Sequence, residues 1–349
     1  MRVVVVGASG NVGTSVLRAL SSEPAVDSVL GIARRIPKQS FPKTEWRQAD
    51  IARSALRPLF QGADAVVHLA WLIQPARNKQ LLHEVNVEGS ARVFRAAAAS
   101  GVTTVVYASS IGAYAPGPKD RAVDESWPTT GIQSSFYARH KAEVERLLDR
   151  FEDEHPGIRV VRLRPGLIFK REAASGIRRL FAGPLLPNFL LRRQLIPVVP
   201  AHERLVFQAV HSYDAGEAYR LALVNEGARG AYNIAADPVL DPDELARALE
   251  ARKLRVPRAL LRGGATLSYG LRLQPSEPGW VDMALAIPVM DTTRARTELG
   301  WQPRRTSTEA LLDLLEGMRE GAGLDTPPLE PGGTGPLRVR EFTTGVGAR

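Results

Sequence analysis

MRVVVVGASGNVG, residues 1–13, decides the fold. Arg2 to Val6 is a β-branched run of the kind that lies inside a parallel sheet, covered on both faces. A helical pattern follows at once over 11–21, with Val12, Val16, Leu17 and Leu20 on one side. Between strand and helix the glycines are spaced Gly7-x-x-Gly10-x-x-Gly13. A strand that turns straight into a helix aims the first free N–H groups and the positive end of the helix dipole at one spot, which suits a pyrophosphate. Gly7 allows the turn, Gly10 lets the backbone approach the phosphates, and Gly13 lets the helix pack closely on the strand. Ser9, Asn11 and Val12 lie in the same turn and are read with it as cofactor contacts.

The second strand of such a unit ends in the residue that reads the adenosine ribose. That strand is legible over 28–33, and Ala33 stands where an Asp or Glu would bind the ribose 2′-hydroxyl, followed directly by Arg34 and Arg35. With no carboxylate to repel a 2′-phosphate and two guanidinium groups to clamp one, the pattern prefers NADP, with NAD possible.

With 349 residues and 44% apolar content the chain buries a sizeable core. Val/Ile-rich segments alternate with helical patterns through the first half, the signature of a doubly wound parallel sheet. Strands are expected at 2–6, 28–33, 65–69, 103–108 and 158–163, and helices at 11–21, 53–60, 78–100 (broken near Asn86) and 136–154. The fold class is thus α/β, a Rossmann-type sheet over 1–165 with contributions from about 205–235. A smaller C-terminal substrate-binding lobe spans 166–320, with an apolar, proline-rich lid at 183–200. From Gly321 to the end a Gly/Pro-rich tail is expected, mobile or draped on the surface. No leader or membrane span is legible, and a cytoplasmic protein is expected. The absence of cysteine excludes disulfides, thiolate nucleophiles and Cys-based metal sites, and the six histidines lack metal-ligand spacing, so no metal is expected. The net charge of +9 is carried by scattered arginines without a nucleic-acid-binding stripe. The expected partner is an anionic cofactor with a small-molecule substrate, with no nucleic acid and no membrane.

Two further segments belong at the carboxyl ends of the strands, where open α/β sheets bind ligands. A buried strand ending at Ala108 runs into Ser109 and Ser110, which places a hydroxyl at the crevice. Tyr137-Ala-Arg-His-Lys141 lies near the start of a helix, where residues four apart share a face. A cation beside a phenol stabilises phenolate, so Lys141 is expected to lower the Tyr137 pKa and make it a proton donor or acceptor near neutrality.

In this order the three motifs resemble the extended short-chain dehydrogenase/reductase family, the group of the NAD-dependent epimerases and dehydratases, from residue 1 to about 319. The resemblance extends to Asp50-Ile51, His68-Leu-Ala70, Asn86-Val-Glu-Gly89, Leu163-Arg-Pro165, His211-Ser-Tyr-Asp214, Tyr232-Asn-Ile and 291–301. It implies Tyr137 as general acid/base, Lys141 holding the nicotinamide ribose, Ser110 polarising the substrate oxygen and Asn86 supporting the site. It further implies cofactor contacts from Asp50, Ile51, Leu69, Ala70 and Pro165, and a homodimer through helices 86–100 and 136–154, with an alanine face at Ala96 to Ala99 allowing close approach.

The chain departs from the family where the substrate sits. Sugar-nucleotide members carry an arginine four residues before the histidine of His-x-x-Asp; here the position is Phe207, and the nearby Arg204 is out of register. The Gly-Pro after the Arg-Pro strand is replaced by Lys170-Arg-Glu, and Trp71-Leu-Ile follows the His-Leu-Ala turn. With Trp71, Ser110 and Phe207 as substrate contacts, the expected reaction is hydride transfer between nicotinamide and a carbonyl or secondary alcohol of a fairly apolar molecule. The alternatives are a sugar-nucleotide (UDP-sugar) 4-epimerase or dehydratase with tightly bound NAD, and a non-catalytic NADP-sensing protein.

Overall fold

The computed structural model describes residues 1–74, 77–181 and 197–331. Strand β1 (Arg2–Val6) shows why its run of valines is buried on both sides. Successive side chains of a strand point to opposite faces. Val4 and Val6 join one apolar cluster with Phe60, Phe94, Phe136 and Leu148, whereas Val3 and Val5 join another with Leu17, Leu20, Tyr219 and Trp301.

From β1 the chain runs through α1 (Asn11–Ser21), β2 (Ser28–Ala33), β3 (Thr44–Gln48), α2 (Arg57–Phe60) and β4 (Ala65–His68). Next come α3 (Lys79–His83), a π-helical turn (Glu84–Glu88) that continues into α4 (Gly89–Ala99), and β5 (Thr104–Ala108). Then follow β6 (Ala122–Val123), α5 (Phe136–Glu154), β7 (Arg159–Pro165), β8 (Leu167–Phe169), α6 (Ala174–Phe181), β9 (Val198–Ala201), β10 (Phe207–His211) and α7 (Ser212–Val224). The remainder is β11 (Gly230–Ile234), β12 (Ala236–Leu240), α8 (Pro242–Leu249), β13 (Arg252–Arg255), α9 (Arg258–Gly270), α10 (Gly279–Ala286), β14 (Val289–Met290), α11 (Thr293–Glu298) and α12 (Ser307–Glu320). None of the described helices is long and apolar enough to cross a membrane.

The central sheet has seven parallel strands in the order β11-β7-β5-β4-β1-β2-β3. The order reverses between β1 and β4, and the crevice beyond their carboxyl ends is the place where such sheets take ligands. β8, β10 and β12 form a separate three-stranded sheet, over which α8 and α12 pack through Leu240, Leu245, Leu314 and Met318.

Several expectations are corrected. The helix expected over 53–60 begins only at Arg57, with Pro58 in its first turn, a position that suits a residue lacking an N–H. Strand β3 lies at the sheet edge with most of its residues exposed, so it carries no apolar signal. Ala96 and Ala97 are buried in the chain's own packing, whereas Ala98 is half-buried and Ala99 exposed, so only part of the alanine face is open. The first residues of the tail are packed: Leu329 and Thr326 are buried, and the amides of Lys38 and Gln39 both donate to the Asp325 carbonyl. Of the lid expected at 183–200, residues 183–196 lie outside the described residues, as does the tail from 332 onward, while Val198–Ala201 is a strand paired with β13.

Candidate active site

The glycines of the first turn are fixed by contact. Gly7 has φ +86°, and a Cβ there would stand 2.7 Å from the Ala70 nitrogen; at Gly13 it would stand 2.4 Å from the Gly7 oxygen. At Gly10 it would meet only the Gly7 oxygen, at 3.5 Å, so the approach to this residue is open. Gly10 is also the N-cap of α1, so no cap side chain bonds the helix's first N–H groups. An uncapped helix start behind an open glycine fits a dinucleotide pyrophosphate. Ser9 is buried in the turn and Val12 packs on the core beneath it, while the Asn11 amide donates to the Ile168 carbonyl at 3.1 Å.

Neighbouring strand ends frame this turn. The Gly7 amide donates to Ile32 O at 2.9 Å, which puts the exposed Arg34 and Arg35 just beyond β2 beside the glycine turn. Leu69 donates to Val6 O at 2.8 Å and, with Ala70, borders the turn from β4. Asp50 accepts from the Ala52 amide at 3.0 Å, and Ile51 is buried against Gly89 with its carbonyl held by Arg92. Pro165 ends β7 in the sheet interior beside Ile234.

The expected catalytic residues Ser110, Tyr137 and Lys141 come together beyond β5. Ser110 caps a short 3₁₀ turn by accepting from the Gly112 amide at 3.0 Å. Gly112 is required there, because a Cβ would lie 2.9 Å from the Tyr137 ring. Ser135 caps α5, whose first turn presents Tyr137. The Tyr137 ring lies 5.9 Å from that of Trp71, edge on, and 4.9 Å from that of Trp280. Lys141 Nζ donates to the Ala108 carbonyl at 2.7 Å and stands 3.5 Å over the Trp71 ring.

The electrostatics differ from the expected pairing. Lys141 Nζ is 5.9 Å from the centre of the Tyr137 ring, engaged by Ala108 and Trp71. Loss of water raises the Tyr137 hydroxyl above its ordinary value of 10, opposed by the adjacent Ser110 hydroxyl, so in this state Lys141 does not lower it. Burial likewise drives the Lys141 ammonium well below its usual range, against the pull of Glu145. Beneath Ser109, Glu145 receives Arg164 Nε at 2.9 Å and Nη2 at 3.0 Å, Arg162 Nη1 at 3.0 Å, and the Ser109 hydroxyl. Burial alone would raise this carboxyl; the two guanidinium groups and Ser109 outweigh it and hold it at about 2.

Asn86 is fully buried in the π turn, where its Oδ1 accepts from Leu72 N at 2.7 Å and its Nδ2 donates to Leu72 O at 2.8 Å. Asn86 thus holds the loop that carries Trp71 from both ends of its amide. Phe207 packs into the lobe's apolar cluster and pairs with Leu240. Arg204 is committed to the Leu285 and Gly117 carbonyls, at 2.8 and 2.9 Å.

Two participants escaped sequence reasoning. Trp280 arrives from a helix far along the chain, with no spacing to link it to Tyr137. Lys170 was legible only as a departure from a motif. It is 1% exposed and donates to the Asn11 carbonyl at 2.9 Å, Thr14 Oγ1 at 2.7 Å and Ser15 Oγ at 3.0 Å, directly behind the open start of α1.

Comparison with known proteins places these features in context. The model of the NAD dependent epimerase/dehydratase family matches residues 3–235. An uncharacterised protein of Mycobacterium tuberculosis, Rv2047c, is 28% identical over 93% of the chain, which spans 31% of that protein, about a third of its length. The L-arabinose 1-dehydrogenase (NAD(P)(+)) of Haloferax volcanii is 30% identical over 47% of the chain and 66% of its own length. Among solved structures, a UDP-glucose-4-epimerase from Stenotrophomonas maltophila, with bound NAD and formylated UDP-arabinopyranose, is similar at TM-score 0.68. Its sequence identity is 21%, covering 92% of this chain and 98% of that one.

Proposed function

The chain belongs to the NAD-dependent epimerase/dehydratase family, and from that premise we propose that it is an NAD(P)-dependent oxidoreductase acting on a small, fairly apolar carbonyl compound or secondary alcohol. The observation that carries this reading is Tyr137 held between Trp71 and Trp280, beside Ser110 and one helical turn from Lys141. When bound, the dinucleotide supplies the hydride donor or acceptor at C4 of its nicotinamide. Tyr137 then gives a proton to the substrate oxygen or takes one from it, and Ser110 orients that oxygen. Lys141 holds the nicotinamide ribose and, by moving off Ala108 toward it, brings its charge to bear on Tyr137. The open start of α1 takes the pyrophosphate, with Gly7, Ser9, Gly10, Asn11, Val12 and Gly13 around it. Arg34 and Arg35 favour NADP over NAD. Trp71 and Trp280 provide the apolar walls.

A sugar-nucleotide 4-epimerase or dehydratase is the second reading, favoured by the UDP-sugars and NAD bound in the solved neighbours. Against it stand Phe207 in place of the diphosphate-binding arginine and an Arg204 already bonded to two backbone carbonyls.

Mass spectrometry of denatured purified protein, followed by titration with NADPH and NADH, tests the choice. An empty protein that binds NADPH more tightly supports the exchangeable reductase; retained stoichiometric NAD sinks it in favour of the epimerase. With a substrate in hand, Tyr137→Phe is expected to lower kcat by roughly 10²–10⁴-fold while cofactor binding stays unchanged. Unchanged turnover would remove Tyr137 from the mechanism.

A further inference from the structure

Helix α9 has no buried residue. Leu260 and Leu267 are 66% and 64% exposed, and Leu254, Leu271 and Leu273, on either side of the helix in sequence, are exposed as well. Leu260 and Leu267, seven residues apart, share one helical face. Between them lie Gly263 and Gly264, where a Cβ would meet nothing. The attached face is the opposite one: Arg258 and Arg262 reach Asp282 of α10 at 3.5 and 3.1 Å, and Tyr269 lies under Arg77. Single exposed leucines need no explanation, but leucines repeated along one helical face that meets no partner among the described residues mark an interaction surface.

The charge around the row identifies what covers it. Residues 251–276 hold six cations, Arg252, Lys253, Arg255, Arg258, Arg262 and Arg272, and no acidic residue. Lys253 is matched by Asp243, and Arg258 and Arg262 by Asp282, whereas Arg252, Arg255 and Arg272 form no ion pair among the described residues. Leucines edged by unmatched arginines complement a surface that is apolar below and anionic at its rim. A second copy of this chain would instead bring the same cations against them.

We propose that α9 is an interfacial helix by which the chain docks on an anionic phospholipid bilayer. Its thirteen residues are too short to span one. The segment following α9 reaches the active site: Gln74 donates to Pro275 O at 3.1 Å, Glu277 accepts from the Phe136 amide at 3.0 Å, and Trp280 faces Tyr137. Docking therefore sets the Tyr137 cleft at the membrane edge, where an apolar substrate concentrates; that consequence rests on the proposed reaction, the docking itself does not.

Flotation of the full-length protein with vesicles of phosphatidylcholine, alone or mixed with phosphatidylglycerol, tests the docking without any turnover assay. Three unmatched arginines imply affinity for the anionic vesicles on the order of a hundredfold higher than for neutral ones. This preference is expected to vanish near roughly 1 M salt, where the screening length is ~3 Å. The double substitution Leu260→Asp/Leu267→Asp is expected to abolish flotation while leaving the melting temperature and dinucleotide binding unchanged. Absence of binding, equal binding to both vesicles, or full binding by the double variant overturns the proposal. So does a native dimer, seen by light scattering, that this variant converts to monomer, since the leucines would then belong to a second copy.

Discussion

At the scale of single residues, Lys170 shows how a departure from a family pattern becomes a physical feature. At this position the chain buries an ammonium group whose three acceptors all lie in the first turns of α1. Burial drives it down to about 7, with Glu172 pulling it up and Arg18 pushing it down; Tyr213, 5.5 Å away, is hydrogen-bonded to Glu172. Placed behind the positive end of the helix, a proton on Lys170 adds to the attraction for a bound anion. Dinucleotide affinity is therefore expected to rise as pH falls through about 7. Lys170→Met should weaken binding by about 1–2 kcal/mol at pH 6 and flatten that dependence, a comparison made by calorimetric titration at pH 6 and 8. A parallel pH dependence in both proteins would place the titrating group elsewhere. The sequence marked Lys170 only as an anomaly, because its partners lie more than 150 positions away.

At the scale of elements, legibility followed burial. Strands β1, β2 and β5, covered on both faces, announce themselves by runs of Val and Ile, and α5 begins and ends where its apolar period does. β3 did not, since an edge strand bears exposed polar residues, and the break in 78–100 became a π turn shaped by Asn86 and Leu72. The Tyr-x-x-x-Lys spacing placed Tyr137 and Lys141 on one helix, whereas Trp280 stayed hidden because only the folded lobe brings α10 to α5. The outer faces of α4 and α5 bear the exposed Arg95, Arg139, Arg146 and Arg150 with Glu88 and Asp149, and few apolar side chains. A homodimer built on these helices would rest on charge pairs, which salt screens. We therefore expect sedimentation equilibrium to show a dimer at low ionic strength that weakens as salt is added; an association strengthened by salt would point to an apolar interface instead.

At the scale of the whole molecule, the sheet and its helices are joined through charge as well as apolar packing. Glu145 on α5 binds Arg162 and Arg164 of β7, and Arg164 continues to the Tyr114 hydroxyl at 3.1 Å and the Glu125 carbonyl at 2.8 Å, linking the Rossmann core to the loops over the site. Because the Glu145 carboxyl lies at about 2 in the fold against 4.5 as its ordinary value, protons bind the unfolded chain more readily. Its contribution to stability is fully present above about 4.5 and is lost as pH falls toward 2. His68, buried and held at about 3 by burial and by Lys141, acts in the same direction from pH 6.5 downward. Lys170, lowered to about 7 by burial, acts in the same direction at higher pH, so thermal unfolding followed from pH 8 to pH 3 should show a melting temperature that already declines toward pH 7, continues to fall below about 6.5 and drops more steeply below 4.5. Glu145→Gln leaves two buried guanidinium groups short of their counter-charge and should cost about 3–5 kcal/mol near neutral pH. It should also remove the steeper acid limb, leaving the His68 decline; an unaltered acid limb in that variant would show that the cluster does not govern acid stability.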